Sequence, residues 1–216
     1  MPICLPMRHP TPRSELAPGR ALVRVLLASL GIASAAWALA APAVFDLGAL
    51  TALLGRVKSG EATFVEQRRI EMIDRTLVSS GRLSFRAPDS FVRETLKPRH
   101  EKLVVSGNSL TMSLGDRSRT MALDASPEAS VIVEALRGTL TGNRETLERL
   151  FETSVSGNAG QWTLELLPRD LRLRGQVASV RISGRESMAR EVQVLLADGD
   201  RSTMTIEPVA GARATP

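Results

Sequence analysis

The sequence predicts an α+β fold: one strongly curved antiparallel sheet of about 10–11 strands with helices resting in its hollow. Three observations lead there. Segments of strand period come in two runs, separated by segments of helical period, in the order helix, five or six strands, two helices, about five strands. Nothing alternates as βαβ, which argues against a doubly wound parallel sheet. The helical segments each carry one apolar stripe that needs a partner, and a single sheet this wide must curl, which supplies a concave face to receive them.

The chain has 216 residues, and its first forty read as a secretory signal peptide. Arg8, Arg13, Arg20 and Arg24 precede the uncharged run "VLLASLGIASAAWALAAPA", and Ala38-Leu39-Ala40 and Ala41-Pro42-Ala43 both satisfy an A-x-A cleavage pattern. Export is expected, with cleavage near 40–43. Cys4, the only cysteine, lies before the apolar run, so the mature chain has no disulfide and must hold together by an ordinary core. Four of the 28 basic groups and one of the 23 acidic groups precede residue 41, so the remainder is close to neutral at +2. That is no nucleic-acid footprint.

The first mature element is a helix capped by Asp46, with Leu47, Leu50, Leu53, Leu54 and Val57 in one stripe and Gly60 as its stop. Next, "ATFVEQRRIEMI" and "TLVSSGRLSFRA" pair about a turn near Asp74-Arg75. The stretch "FRAPDSFVRETLKPRHEKLVVSGNSL" is broken at Pro88 and near Pro98, and it continues the sheet through "FVRETL". "KLVVSG" and "NSLTMSLG" form a hairpin with Gly107-Asn108 at its turn, and "RTMALD" is a shorter strand. The period then changes. Ser126 caps, Pro127 takes the first helical position, and Val131, Ile132, Ala135, Leu136 and Leu140 form an apolar face that ends at Gly142. Asn143 caps a second short helix, "RETLERLF". "QWTLELLP", "LRLRG", "VASVRISG", "REVQVLLAD" and "RSTMTIEP" return to sheet, and the tail 209–216 is expected to be flexible.

Phe64–Gln67, then Ser80-Gly81-x-Leu83-x-Phe85-x-x-Pro88-x-x-Phe91, Pro98-x-x-Glu101-x-Leu103-Val104 and Gly107-x-x-Leu110 follow one another in a spacing that resembles the LolA family, periplasmic carriers of outer-membrane lipoproteins. "QWTLELLP" and "REVQVLLADGDRSTMTIE" resemble that family's second half, so the similarity spans nearly all of residues 45–208. The resemblance implies that the curved sheet is a strongly curved, unclosed antiparallel β-barrel in a periplasmic protein, that the helices act as a lid over it and that acyl chains occupy the cavity between them. It implies a carrier domain over 44–208, a lipid or acylated ligand, an inner-membrane donor and an outer-membrane acceptor. Two positions depart from the pattern. The arginine that the family places before this proline to bond the lid is Ala87 here, with Arg86 one step earlier and so on the opposite face. An aromatic two residues past the position of Phe91 is replaced by Arg93.

In that register Leu83, Phe85 and Phe91 line the concave side, joined by Phe64, Ile70 and Met112 from neighbouring strands. Val131, Ile132, Leu136 and Leu140 would close over them. Two readings of this set stay open: a dry core, or a cavity in which each buried methylene contributes about 0.8 kcal/mol. Arg93 also has two readings. It is either a rim residue paired with Glu94 or Glu101, or the reader of an anionic head group. His100 sits among Lys97, Arg99, Glu101 and Lys102 and reads as a surface residue. In the mature chain no second histidine and no cysteine accompanies it, so neither zinc nor any cofactor is implied. Trp162 starts a strand and reads as an anchor for the sheet edge or lid.

Three functions fit unequally. A monomeric carrier that shields a lipid between membranes fits the signal, the curled sheet and the aliphatic lid. A sensor or interaction module on the same scaffold would bind a protein segment instead. An enzyme needs a base and nucleophile in reach of one another, and the sequence offers none.

Overall fold

The computed structural model describes residues 45–209. The signal peptide expected over 1–40, its cleavage site and the tail beyond 209 lie outside these residues. Helix α1 spans Leu47–Leu54, and Asp46 caps it by accepting a 2.8 Å hydrogen bond from the Ala49 N–H. Six strands follow: β1 Ser59–Ile70, β2 Arg75–Arg86, β3 Ser90–Lys97, β4 Glu101–Ser106, β5 Ser109–Leu114 and β6 Arg117–Ala122. Helix α2, Pro127–Thr141, and helix α3, Arg144–Leu150, separate them from β7 Phe151–Asn158 and β8 Gln161–Pro168. The one-turn helix α4, Leu171–Arg174, then leads to β9 Val177–Arg185, β10 Met188–Leu196 and β11 Arg201–Pro208.

All eleven strands form one antiparallel sheet in the order β6-β5-β4-β3-β2-β1-β11-β10-β9-β8-β7. Each run is a meander of neighbours, and the β1–β11 pair joins the two runs at the middle. Strands β6 and β7 are the outer strands and do not pair, so the barrel is unclosed. This is the curved, unclosed α+β half-barrel expected from the order of periodicities together with the family resemblance.

Three elements differ from the sequence reading. The first helix ends at Gly55, whose N–H reaches the Thr51 carbonyl, so Val57 lies outside it and Gly60 belongs to β1. "LRLRG" is helix α4, not a strand: Asp170 accepts from the Arg172 N–H at 2.8 Å and starts a turn that Gly175 closes. The strand missing from the count is "FETSVSGN", β7, which opens with Phe151 where helix α3 stops. Ser126 stands at the N-cap of α2 but makes no side-chain capping bond.

The core is lopsided. A large cluster takes Leu47, Leu50 and Leu54 from α1, Val131 and Ala135 from α2 and Leu147 from α3. These pack against Trp162, Leu164, Leu166, Val180 and Ile182 of β8 and β9. A small cluster takes Val133 of α2 and Leu123 against Val105 of β4 and Leu110 of β5. The helices therefore fill the hollow over β7–β11 and touch the other half of the wall at one corner. Each fully buried leucine here contributes on the order of 1.5–3 kcal/mol, so the filled half is the stability core.

Candidate functional site

Directly paired residues on antiparallel strands share a face. Leu83 stands opposite Ala62 and Arg93, Arg93 opposite Leu103, Leu103 opposite Met112, and Met112 opposite Arg119. The next row runs Phe85, Phe91, Val105, Leu110, Met121. Phe64 shares this side and pairs with Ile206 and Gly81. Val105, Leu110 and Ile206 pack under the helices, so this is the concave face. Phe64, Leu83, Phe85, Phe91, Arg93 and Met112 thus come together on it as the sequence placed them. Ile70 has the same parity but pairs with Arg75 at the end of the β1–β2 hairpin, past the last β1–β11 pair, and joins neither cluster.

The lid residues are divided differently from the sequence reading. Val131, Ile132 and Leu136 face the filled half, and Leu140 belongs to neither cluster. The residues of α2 that reach the small cluster, beside Phe91, are Val133 and Ala129, on the flank of the stripe. Phe85 and Phe91 stack on one another with ring centroids 5.2 Å apart.

Arg93 pairs with neither Glu94 nor Glu101. Its Nη2 donates to Glu66 Oε2 from two strands away, and its guanidinium lies 4.9 Å over the Phe64 ring. Glu66 also accepts from the Ser79 hydroxyl at 3.2 Å and the Ser202 hydroxyl at 2.5 Å. The carboxylate side chain is 14% exposed, so Arg93 and two hydroxyls hold a charge that would be costly to bury alone. This network closes the floor of the hollow where the two halves of the sheet meet.

Beyond Arg93 the wall is open. A cleft of about 300 Å³ runs along β3–β6, with Leu103, Met112 and Leu114 among its lining residues. Met112 and Leu114 are about half exposed although they point inward, because no helix covers them. The sequence reading missed Leu103, Leu114, Arg117 and Arg119; extending the two-residue alternation from Met112 along β4–β6 would have found them. A second depression, of about 400 Å³, lies on the outer face around Ser156, Thr163, Glu165, Arg181 and Gln193 and is polar throughout. Arg86 is exposed and on the side opposite Phe85, so it cannot reach the lid; the tie from lid to sheet comes from Arg137 of α2 instead.

The sequence matches the family described as outer membrane lipoprotein carrier protein LolA-like over residues 39–215. Among curated proteins there is no significant match. Among solved structures, a LolA superfamily protein from Nitrosomonas europaea is similar at 9% identity over 73% of this chain and 90% of its own, with a TM-score of 0.40. The MucA/MucB complex of Pseudomonas aeruginosa is similar at 17% identity over 79% of this chain and 57% of the matched chain, TM-score 0.42. A putative outer membrane lipoprotein-sorting protein domain from Vibrio parahaemolyticus is similar at 10% identity over 72% and 87%, TM-score 0.37. At these scores none of the three likenesses supports a statement about this chain's activity. The family match, spanning most of the sequence, means that the chain belongs to the LolA-like family of outer membrane lipoprotein carrier proteins.

Proposed function

We propose that this protein is a periplasmic carrier that holds a lipid or lipidated molecule on the concave side of its half-barrel and shuttles it from an inner-membrane donor towards an outer-membrane acceptor. The observation that carries the reading is the uncovered half of the wall. Inward-facing Met112 and Leu114 are 49% and 48% exposed, beside partly buried Leu103, while the other half is packed to closure. A fold that needed only stability would cover these residues, since each methylene removed from water contributes about 0.8 kcal/mol. An acyl chain laid along the row would do so reversibly, and the task needs no reacting group. Native mass spectrometry of protein purified from a periplasm, with lipid extraction of the same sample, tests this. Retained lipid, or uptake of an added acyl probe, supports carriage; neither would refute it.

A sensor or interaction module is the second reading, and the open edge of β6 favours it. Arg117–Ala122 pairs with β5 on one side only, leaving backbone N–H and C=O groups that a strand from another protein can meet. A stoichiometric protein partner recovered without lipid would select it.

A further inference from the structure

The charges around the open cleft are unevenly satisfied. Arg93 is neutralised by Glu66. Arg117 and Arg119 of β6 have no ion pair or side-chain hydrogen bond among the described residues, nor does Lys102, which lines the same cleft. Glu101 is the one carboxylate among the lining residues. The cross-strand order is regular. Leu103, Met112 and Arg119 follow one another from β4 to β6, and Glu101, Leu114 and Arg117 do the same one step along. Along the first row the lining therefore passes from apolar at β4 and β5 to cationic at the rim, while the second begins on acidic Glu101 and ends on Arg117. Arg117 and Arg119 stand two residues apart on one face, roughly 6–7 Å along the strand.

Resting on the carrier reading, we propose that the cleft selects a single-chain lipid with an acidic head group, a fatty carboxylate, held at the rim by Arg117 and Arg119 with its first methylenes on Leu103, Met112 and Leu114. Two unpaired guanidinium forks match a carboxylate geometrically and electrically. A volume of about 300 Å³ is at the lower limit for a ligand cleft and suits one chain, not two or three. A neutral head group would leave both guanidinium groups in water with nothing gained. An acidic one gains charge-assisted hydrogen bonds that salt screens.

Calorimetric titration of the purified protein with dodecanoate, dodecanol and a dodecanoyl lysophosphatidylglycerol tests the proposal. Dodecanoate should bind about tenfold more tightly than dodecanol, the equivalent of one charge-assisted contact of about 1.4 kcal/mol, and the ratio should shrink as sodium chloride rises. In the double variant Arg117→Gln/Arg119→Gln the ratio should fall towards one with dodecanol affinity unchanged. Met112→Gln should weaken acid and alcohol alike. Equal binding of acid and alcohol would overturn the head-group assignment while leaving acyl carriage standing. A preference that survives the double variant would also overturn it, as would lysophosphatidylglycerol outcompeting dodecanoate. Failure of all three probes to bind would defeat the carrier reading itself.

Discussion

The Arg137 guanidinium of α2 donates a 2.7 Å hydrogen bond through Nη2 to the carbonyl oxygen of Gly107, in the turn between β4 and β5. Its Nη1 binds Glu134 one turn back at 2.5 Å. The Gly107 bond spans 30 positions in sequence and ties the lid to the half of the wall that the lid scarcely covers. The tether runs from helix to sheet, so the alanine at position 87 does not leave the lid unfastened.

Replacing Arg137 by alanine should therefore loosen α2 before it unfolds the domain. A hydrogen bond from a charged donor has a net stabilising effect of about 1.5–3 kcal/mol, and partial exposure puts the loss near the lower figure. Hydrogen exchange should quicken across residues 127–141, while amides of β8 and β9 keep the protection of the large cluster. Uniform exchange throughout, or no change in α2, would show that the tether does not hold the lid.

Glu66 and Arg93 should behave as a coupled pair. Glu66→Gln leaves an arginine on the concave floor with only Ser79 and the Phe64 face beside it. A fully buried broken pair costs about 3–5 kcal/mol; with Arg93 33% exposed, solvent screens part of this, and a loss of about 1–2 kcal/mol is expected. Arg93→Met alone should also destabilise. The double variant should lose less than the sum of the two single losses. Urea unfolding of the four proteins gives the coupling energy, and strict additivity would remove the network from the account of the floor.

Much of this architecture was legible from sequence because its signals are local. The register of the family resemblance put Phe91 and Arg93 on the inward face, but Leu103 of "KLVVSG", which pairs with Arg93, was not carried along with them. Gly107-Asn108 and Asp74-Arg75 marked their turns, where Gly107 and Asp74 adopt positive φ of 55° and 46°. The failures are those of short range. Four residues of "LRLR" alternate like a strand and are too few to show a helical period, so the Asp170 cap decided the conformation. An apolar stripe on α2 says that a partner exists but not which strands it meets, and the division of the hollow into a filled and an open half was invisible for that reason. The Glu66–Arg93 pair joins β1 to β3 across β2, and no sequence spacing encodes that reach.

Trp162 depends on the absence of a side chain at Gly184. The two residues are paired across β8 and β9, and a Cβ on Gly184 would lie 2.4 Å from the Trp162 ring and 2.3 Å from the Met188 carbonyl oxygen. The ring is 1% exposed, and its Nε1 donates to the Glu186 carbonyl at 2.8 Å. Gly184→Ala should then force the indole or the β9–β10 turn to move, with a destabilisation of about 1–3 kcal/mol from overpacking. The near-ultraviolet circular dichroism of Trp162 should change with it. Unchanged stability and an unchanged tryptophan signal would contradict the close packing at this strand end.

Glu94 and His100 form a surface contact whose pH response has a definite sign. His100 Nε2 lies 2.9 Å from Glu94 Oε1, and this hydrogen bond, with smaller help from the nearby charges of His100, Arg82 and Lys102, holds the Glu94 carboxyl below its usual value of 4.5. A carboxyl whose folded pKa is depressed stabilises the fold when ionised. Its contribution is complete above the unfolded value and is lost as pH falls through the lower, folded one. The Glu94 contribution should therefore weaken only as pH falls below about 4.5. Carboxyl-detected NMR titration should place the Glu94 midpoint below that of an ordinary glutamate. His100→Ala should move it up, since the largest cause of the depression has gone, while stability near neutral pH stays almost as it was because both groups lie at the surface. A Glu94 midpoint that does not respond to loss of the imidazole would show that the contact does not form in solution.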